Sequence, residues 1–330
     1  MWLRYTLGDV RYLEDGLERD VDEQRRQPPD DGVSTRPARL AVGVVGAGRV
    51  GSVLGAALAR AGHFVVAASG VSDASRRRAA ELLPGVPLAA PPDVVDAADL
   101  VLLTVPDDVL PNLVDGLAAT ESIRAGQILV HTSGRYGTAV LDPGTRRGAL
   151  PLAIHPVMTF TGTPVDLDRL VGCSFGVTAP AALRPMAEAL VVECGGEPEW
   201  IEEDRRPLYH AALATGANHL VTLVAQAADL LHRAGVEHPN RMLGPLLGAA
   251  LDNALRYGDH ALTGPVARGD AGTVAAHIRE LAQVSTEARA AYVAMSRLTA
   301  DRAMAAGILS PADAEALLDV LADRSDGARA

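Results

Sequence analysis

The 330-residue chain contains no lysine; all 30 of its Lys+Arg positions are arginine. That absence excludes Schiff-base chemistry and any lysine general acid. The arginines are scattered, and against 41 acidic residues they leave a formal charge of -11. Binding to a phosphate backbone needs clustered cation, so nucleic acid and anionic membrane surfaces are not expected as partners. Cysteine is almost as scarce: Cys173 and Cys194 stand apart, without the spacing of a zinc site or a disulfide framework. No metal site and a reducing, cytoplasmic location follow as expectations. No apolar run approaches the ~18 residues of a membrane span, and Met1-Trp2-Leu3-Arg4-Tyr5 lacks an apolar core of signal-peptide length. Aromatics are only 3% of the chain, so the core must be built from Ala, Val and Leu, a composition suited to close-packed helices and parallel strands.

At ~150 residues per domain the length suggests about two domains. Residues 1–38 are charged and turn-rich, with Pro28-Pro29-Asp30-Asp31-Gly32 among them, and carry too little apolar surface to offset ordering entropy. They read as a weakly ordered tail. From Arg39 the pattern becomes apolar strands alternating with helices. Strands are expected at 40–45, 64–68, 100–105 and 128–132, with shorter ones at 152–154, 174–177 and 199–201; helices at 52–61 and 75–83 lie between. Near-continuous apolar strands imply a parallel sheet covered on both faces, an α/β domain over 39–203. Beyond Asp204 strand signals stop, and helices are expected at 208–234, 240–257, 270–295 and 311–322. Residues 204–330 therefore read as an all-helical domain.

G-A-G-R-V-G at Gly46–Gly51 lies directly after a strand and opens a helix. Gly46 permits a tight turn, Gly48 lets the backbone approach a pyrophosphate, and Gly51 allows close helix–strand contact. Arg49 and Val50 then begin the helix whose N–H groups face the phosphates. The second strand ends in Ser69-Gly70-Val71-Ser72-Asp73-Ala74-Ser75-Arg76-Arg77-Arg78 without the acid that would bind a ribose hydroxyl at the strand end. Ser72, Arg76 and Arg77 suit a 2′-phosphate and point to NADP, while Asp73 keeps NAD open. The plainer alternative is that Ser72 or Asp73 caps the next helix and the arginines are its solvated face.

Other candidates sit at the carboxyl ends of strands, where open parallel folds bind ligands. Val105-Pro106 shapes a turn beside the nicotinamide, with Asp107 or Asp108 as an alternative helix cap. Ser133 can hydrogen-bond a substrate or the nicotinamide amide; His131, in the same stretch, reads as a core histidine. His155, followed by Pro156, can carry the proton that balances hydride transfer, or be a packed histidine with satisfied nitrogens. Tyr209-His210 and Asn218-His219 fall on the first helix of the second domain, where Asn218 can orient a substrate oxygen or make helix–helix contacts. Gly264-Pro265 and Gly269 shape a loop in which Thr263 and Arg268 are candidates to bind a carboxylate, with Asp270 as a helix cap.

Taken together, G-A-G-R-V-G, V-P-D at Val105–Asp107, H-T-S-G at His131–Gly134, H-P-V-M-T-F at His155–Phe160, Y-H at Tyr209 and A-L-T-G-P-V-A-R-G-D at Ala261–Asp270 resemble the bacterial Rossmann-like proteins with a helical carboxyl-terminal domain of unknown function. These belong to the 6-phosphogluconate dehydrogenase-like superfamily, with pyrroline-5-carboxylate reductase, ketopantoate reductase and prephenate dehydrogenase. The resemblance implies a Rossmann-type domain, a helical domain that usually dimerises, and a substrate cleft between them. It matches His155 to the histidine that assists proton transfer in prephenate dehydrogenases, and Asn218 to an interdomain asparagine. The catalytic lysine of 6-phosphogluconate dehydrogenase and ketopantoate reductase has no counterpart.

The resulting expectation is an NADP-dependent oxidoreductase acting on a small carboxylate-bearing carbonyl or imine, with a ketopantoate-type 2-oxo acid as the leading substrate. His155 would manage the proton, Asn218 and Ser133 would orient the reacting oxygen, and Arg268 with Thr263 would hold the carboxylate. A homodimer is expected. One alternative is a non-catalytic dimeric NADP-binding sensor or scaffold, favoured by the missing lysine. Another is a prephenate dehydrogenase-like enzyme, which would prefer NAD.

Overall fold

The computed structural model describes residues 39–322; the expected tail at 1–38 lies outside them. Seven strands form one sheet in the order β2-β1-β3-β4-β5-β6-β7. The chain runs β1 (Ala41–Val45), α1 (Arg49–Arg60), β2 (Phe64–Ser69), α2 (Asp73–Leu82), α3 (Pro91–Asp96), β3 (Leu100–Leu103), α4 (Leu110–Ala119), β4 (Ile128–His131), α5 (Asp142–Thr145) and β5 (Leu150–Pro156). It continues through α6 (Val165–Arg169), β6 (Ser174–Thr178), α7 (Arg184–Glu193) and β7 (Glu197–Trp200). The first five strands are parallel and, apart from the start of the edge strand β2, largely buried because helices cover both faces. Val44, Leu54, Leu58 and Phe175 belong to the core on one face, and Val94, Val101, Leu110 and Val114 to the core on the other.

The sheet departs from the all-parallel expectation at β6, which pairs antiparallel with β5; β7 then runs parallel to β6. The connecting segment explains the reversal. Its one helix, α6, has five residues and at ~1.5 Å per residue spans about 7.5 Å. The seven-residue β5 at ~3.3 Å per residue runs about 23 Å. With no helix to carry the chain back across the face, β6 enters from the edge where β5 ended.

Beyond β7 the chain is helical: α8 (Arg206–Arg233), α9 (Pro239–Tyr257), α10 (Gly264–Ala267), α11 (Ala271–Val284), α12 (Thr286–Ala305) and α13 (Pro311–Ala322). Val266, Val274, Ala300, Leu309 and Leu317 form a separate small core among the last four. The single helix expected at 270–295 is two. Ser285 takes an extended backbone, φ -163° and ψ 128°, and its Oγ accepts the Ala288 N–H at 3.1 Å, so it ends α11 and caps α12. Asp270 caps α11 as read from the sequence, its carboxylate accepting from Thr273 N–H at 3.0 Å. Among the described residues no helix is long and apolar enough to cross a membrane.

Candidate functional site

The glycine turn after β1 is braced on both sides. Gly46 has φ +98°, a conformation that disfavours any side chain. Its N–H donates to Ser69 Oγ at 3.1 Å, and Thr104 Oγ1 donates to its carbonyl at 2.7 Å. A Cβ on Gly51 would overlap Thr104 Oγ1 and the Gly46 carbonyl oxygen, whereas one on Gly48 would meet nothing closer than 3.9 Å. Gly46 and Gly51 are therefore required by packing, and Gly48 keeps open the space a ligand would enter. No side chain caps α1 and no acid occupies its first turn, so the N–H groups opening at Arg49 and Val50 and the positive end of the dipole are left for an anion.

At the end of β2, Ser72 caps α2, its Oγ accepting the Ser75 N–H at 3.1 Å. Arg76 bonds Asp73 at 3.3 Å and the Gly70 carbonyl at 3.4 Å, and Arg77 is exposed. Arg78 is placed differently, against Gly162. A Cβ on Gly162 would lie 2.7 Å from Arg78 Nε and 3.0 Å from Arg49 Cγ, so both side chains lie against the loop after β5. Asp166, fully buried, holds that loop by accepting the Thr161 and Gly162 N–H groups at 2.7 Å each. Burial works against its ionisation, yet the bonds from Gly162 and Thr161 prevail and hold the carboxyl below the usual range. This grouping of Arg49, Arg78 and Gly162 had no signal in the linear spacing.

Val105 and Pro106 follow β3 beside the turn: a Cβ on Gly46 would lie 3.2 Å from Val105 Cγ1. The Pro106 carbonyl accepts from the Val109 and Leu110 N–H groups and starts α4; no side chain caps that helix. His131, fully buried at the end of β4, bonds the Gly137 carbonyl through Nε2 at 2.8 Å and accepts Ser133 N–H at Nδ1 at 3.2 Å. A carbonyl only accepts, so Nε2 carries the proton, and burial drives the pKa down to about 3. His131 is thus a structural neutral imidazole. Ser133 Oγ accepts from the Arg135 and Tyr136 N–H groups at 3.2 Å, closing the turn.

His155, at the end of β5, borders a cleft of about 280 Å³ whose lining includes Thr159, His210, Leu213 and Asn218. Its Nδ1 is 2.8 Å from the Tyr209 hydroxyl, and its Cε1–Nε2 edge lies against Gly134, where a Cβ would come within 3.1 Å of both atoms. The His210 ring stands edge-on with centroids 6.1 Å apart. Burial first, then the charge of Arg206, lowers the His155 pKa to about 4. The structure thus brings His155 and Asn218 to one cleft, with the Ser133–Gly134 turn against the histidine. Thr263 lines a different hollow with Arg302, and Arg268 is exposed on the far helical core; neither lines the His155 cleft.

The residue that sequence reasoning missed is Arg206. It is fully buried, the one buried side chain of the 28-residue α8. Its guanidinium donates to Thr178 Oγ1 at 2.8 Å and to the carbonyls of Ser133, Ala153 and Gly176 at 3.2, 2.9 and 2.9 Å. It thereby joins α8 to β5, β6 and the turn after β4 with neutral acceptors alone. Burial lowers its pKa to about 10, so it remains charged. Nearby Glu203 spends its carboxylate on the Thr138 and Ala139 N–H groups at 2.8 and 3.1 Å. Among the described residues no group of three or more His, Cys, Asp or Glu could hold a metal ion.

Residues 26–156 match a Rossmann-like domain and residues 173–299 a domain of unknown function, DUF2520. The chain carries both. No curated protein matches it significantly. Among solved structures it is similar to a Bacteroides fragilis protein provisionally named an NADP oxidoreductase, at 20% identity and TM-score 0.67, covering 80% of this chain and 98% of that one. It is also similar to the 1-pyrroline-5-carboxylate reductase of Streptococcus pyogenes, at 18% identity and TM-score 0.53, covering 81% and 99%. The imine reductase of Myxococcus stipitatus, solved with NADP+, is similar at 17% identity and TM-score 0.52, covering 81% and 94%. At these identities the likeness is one of fold.

Proposed function

We propose that this protein is an NADP-dependent oxidoreductase that moves a hydride between nicotinamide and a small carboxylate-bearing carbonyl or imine. The observation that carries the reading is a shared sheet edge. The glycine turn, Val105-Pro106, Ser133-Gly134 and His155 lie at the carboxyl ends of β1, β3, β4 and β5, which are successive neighbours in the sheet. That is where open α/β sheets bind dinucleotides and their substrates. The names of the similar structures, NADP oxidoreductase and imine reductase, support the same chemistry.

The residues fit the cofactor. Gly46–Gly51 and the uncapped start of α1 offer a pyrophosphate cradle, kept open at Gly48. Arg49 and Arg78, whose side chains both lie against Gly162, would hold a 2′-phosphate, with Ser72, Arg76 and Arg77 beside them. NAD would forgo that contact. When bound, nicotinamide supplies the hydride. This chain's own residues orient the substrate and handle the proton: Asn218 offers an amide to the reacting oxygen, the Ser133 turn forms a wall, and His155 presents its Nε2 edge.

The cleft lining holds no carboxylate, and Arg206 places a buried positive charge behind it, only partly balanced by Glu203, a field that favours an anionic substrate. Ketopantoate and related 2-oxo acids meet that requirement, as does a carboxylate-bearing cyclic imine. Thr263 and Arg268 would serve it only from another copy of the chain. The test is NADPH oxidation by the purified protein with ketopantoate, a panel of small 2-oxo acids and cyclic imines. Turnover on a carboxylate-bearing member, lost on its methyl ester, supports the reading. Equal rates on acid and ester refute the substrate class.

A second reading, a non-catalytic NADP-binding dimer, is favoured by the absence of lysine and by a His155 that is uncharged near neutrality. It predicts NADPH binding with no turnover across the panel.

A further inference from the structure

Arg206 presents a problem that the fold alone does not resolve. A buried charge is costly, and this one hydrogen-bonds three carbonyls and a hydroxyl, while the Glu203 carboxylate supports it only through space. A mere clamp between α8 and the sheet would need no charge. Tyr209 lies one turn along α8, its ring 5.8 Å from the guanidinium carbon, and its ionised form is also matched by that charge. Tyr209 in turn touches His155 at 2.8 Å. A Cβ on Gly176 would overlap the Tyr209 hydroxyl, so glycine there makes room for the phenol.

We propose that Tyr209 supplies the proton of the reaction through His155, and that Arg206 is placed to hold the phenolate left behind. This rests on the oxidoreductase reading above. In the resting state the phenol donates to Nδ1 and the neutral ring carries its proton on Nε2. As hydride reaches the substrate carbon, the π pair of the carbonyl moves onto oxygen, which takes the Nε2 proton. Nδ1 takes the Tyr209 proton, so the ring stays neutral throughout and the negative charge comes to rest beside Arg206. After product leaves, a proton taken up from bulk solvent through water in the cleft reaches Nε2, and Nδ1 returns its proton to Tyr209, so the one proton consumed per turnover comes from solvent. For an imine the acceptor is nitrogen; oxidation runs the path in reverse.

The surroundings of His155 support a neutral relay. His210 stands edge-on, and His131 behind is fixed neutral by the Gly137 carbonyl and the Ser133 N–H. The backbone of Gly176 also bonds the phenol oxygen, and Arg206 favours its ionised form, both partly offsetting the burial that pushes Tyr209 up to about 12. A neutral imidazole alone is a poor acid; coupled to Tyr209 and Arg206 it need not become a cation. Tyr209 and Arg206 act through His155 and are positioning residues.

The test reads the proton directly. Proton–nitrogen NMR of the histidine-labelled, NADPH-loaded full chain, with His155→Gln for assignment, is expected to show His155 as the Nε2–H tautomer near neutral pH. Tyr209→Phe should lose that fixed tautomer. With the panel member that turns over, Tyr209→Phe should lower kcat about 10²-fold with the KM for NADPH unchanged. Arg206→Lys, which keeps the charge, guards against misfolding of an apolar replacement and should retain more activity than Arg206→Gln. An Nδ1–H tautomer in the wild-type protein, or wild-type kcat in Tyr209→Phe, would overturn the relay. Failure of NADPH to bind at all would instead overturn the oxidoreductase reading.

Discussion

Replacing Gly48 with alanine adds one methyl group where the fold has room for it and a dinucleotide does not. Gly48 has φ -79° and ψ -154°, which alanine adopts without strain, and the added Cβ meets nothing nearer than the Gly46 carbonyl oxygen at 3.9 Å. Stability should hold or rise by about 0.5 kcal/mol, because alanine restricts the unfolded chain. Affinity should fall, since the methyl holds the pyrophosphate off the α1 N–H groups. Loss of one to two charge-assisted bonds is about 3 kcal/mol, roughly a hundredfold in Kd. Gly51→Ala is the contrast: its Cβ overlaps Thr104 Oγ1 and the Gly46 carbonyl, and overpacking of that kind costs about 1–3 kcal/mol. Urea denaturation and calorimetric titration with NADPH on both variants separate the effects. A Gly48→Ala protein that binds NADPH like wild type, or that loses as much stability as Gly51→Ala, would refute the reasoning.

Further outcomes follow from other parts of the molecule. Arg78→Ala should weaken NADPH binding several-fold while leaving NADH unchanged, by the same titration; equal losses would place Arg78 elsewhere. His131 and His155 have pKa values lowered from 6.5 to about 3 and about 4. Their neutral forms therefore stabilise the fold fully above 6.5, and that stability is lost as pH falls from there through about 4 for His155 and about 3 for His131. Urea midpoints should drop across this window, and less steeply in a His155→Gln variant. On the α8–α9 surface, Leu208, Val221, Leu246 and Leu255 are 68%, 70%, 64% and 80% exposed, an apolar face suited to a second copy of the chain. Light scattering should give twice 34.3 kDa, and Val221→Glu with Leu255→Glu should return a monomer.

What the sequence disclosed depended on how local the causes were. The glycine turn was legible because strand, turn and helix are contiguous in the chain, although the Thr104 that braces it lies 58 residues on from Gly46. Asp270 and the start of α13 at Pro311 were legible for the same reason. The break at Ser285 was not, since helical periodicity continues across it and only the extended backbone at that serine marks the stop. The reversal at β6 depends on the absence of a crossing helix between 157 and 173, which apolar strand patterns do not report. Short helices such as α3, α4 and α7 were hidden by prolines that start helices as readily as they end them. Arg206 sits in the charged run Glu202-Glu203-Asp204-Arg205-Arg206 and looks solvated; its acceptors come from positions 28 to 73 residues away. Tyr209-His210 stood out as a polar pair, but the link from Tyr209 to His155 spans 54 residues and required the sheet edge and α8 to meet.

Isothermal titration of NADPH and NADH into the purified full chain tests the central claim most directly. The account predicts one site per chain, with NADPH bound more tightly than NADH and the difference abolished when Arg49 and Arg78 are both replaced by alanine. Absence of binding by either nucleotide would contradict it.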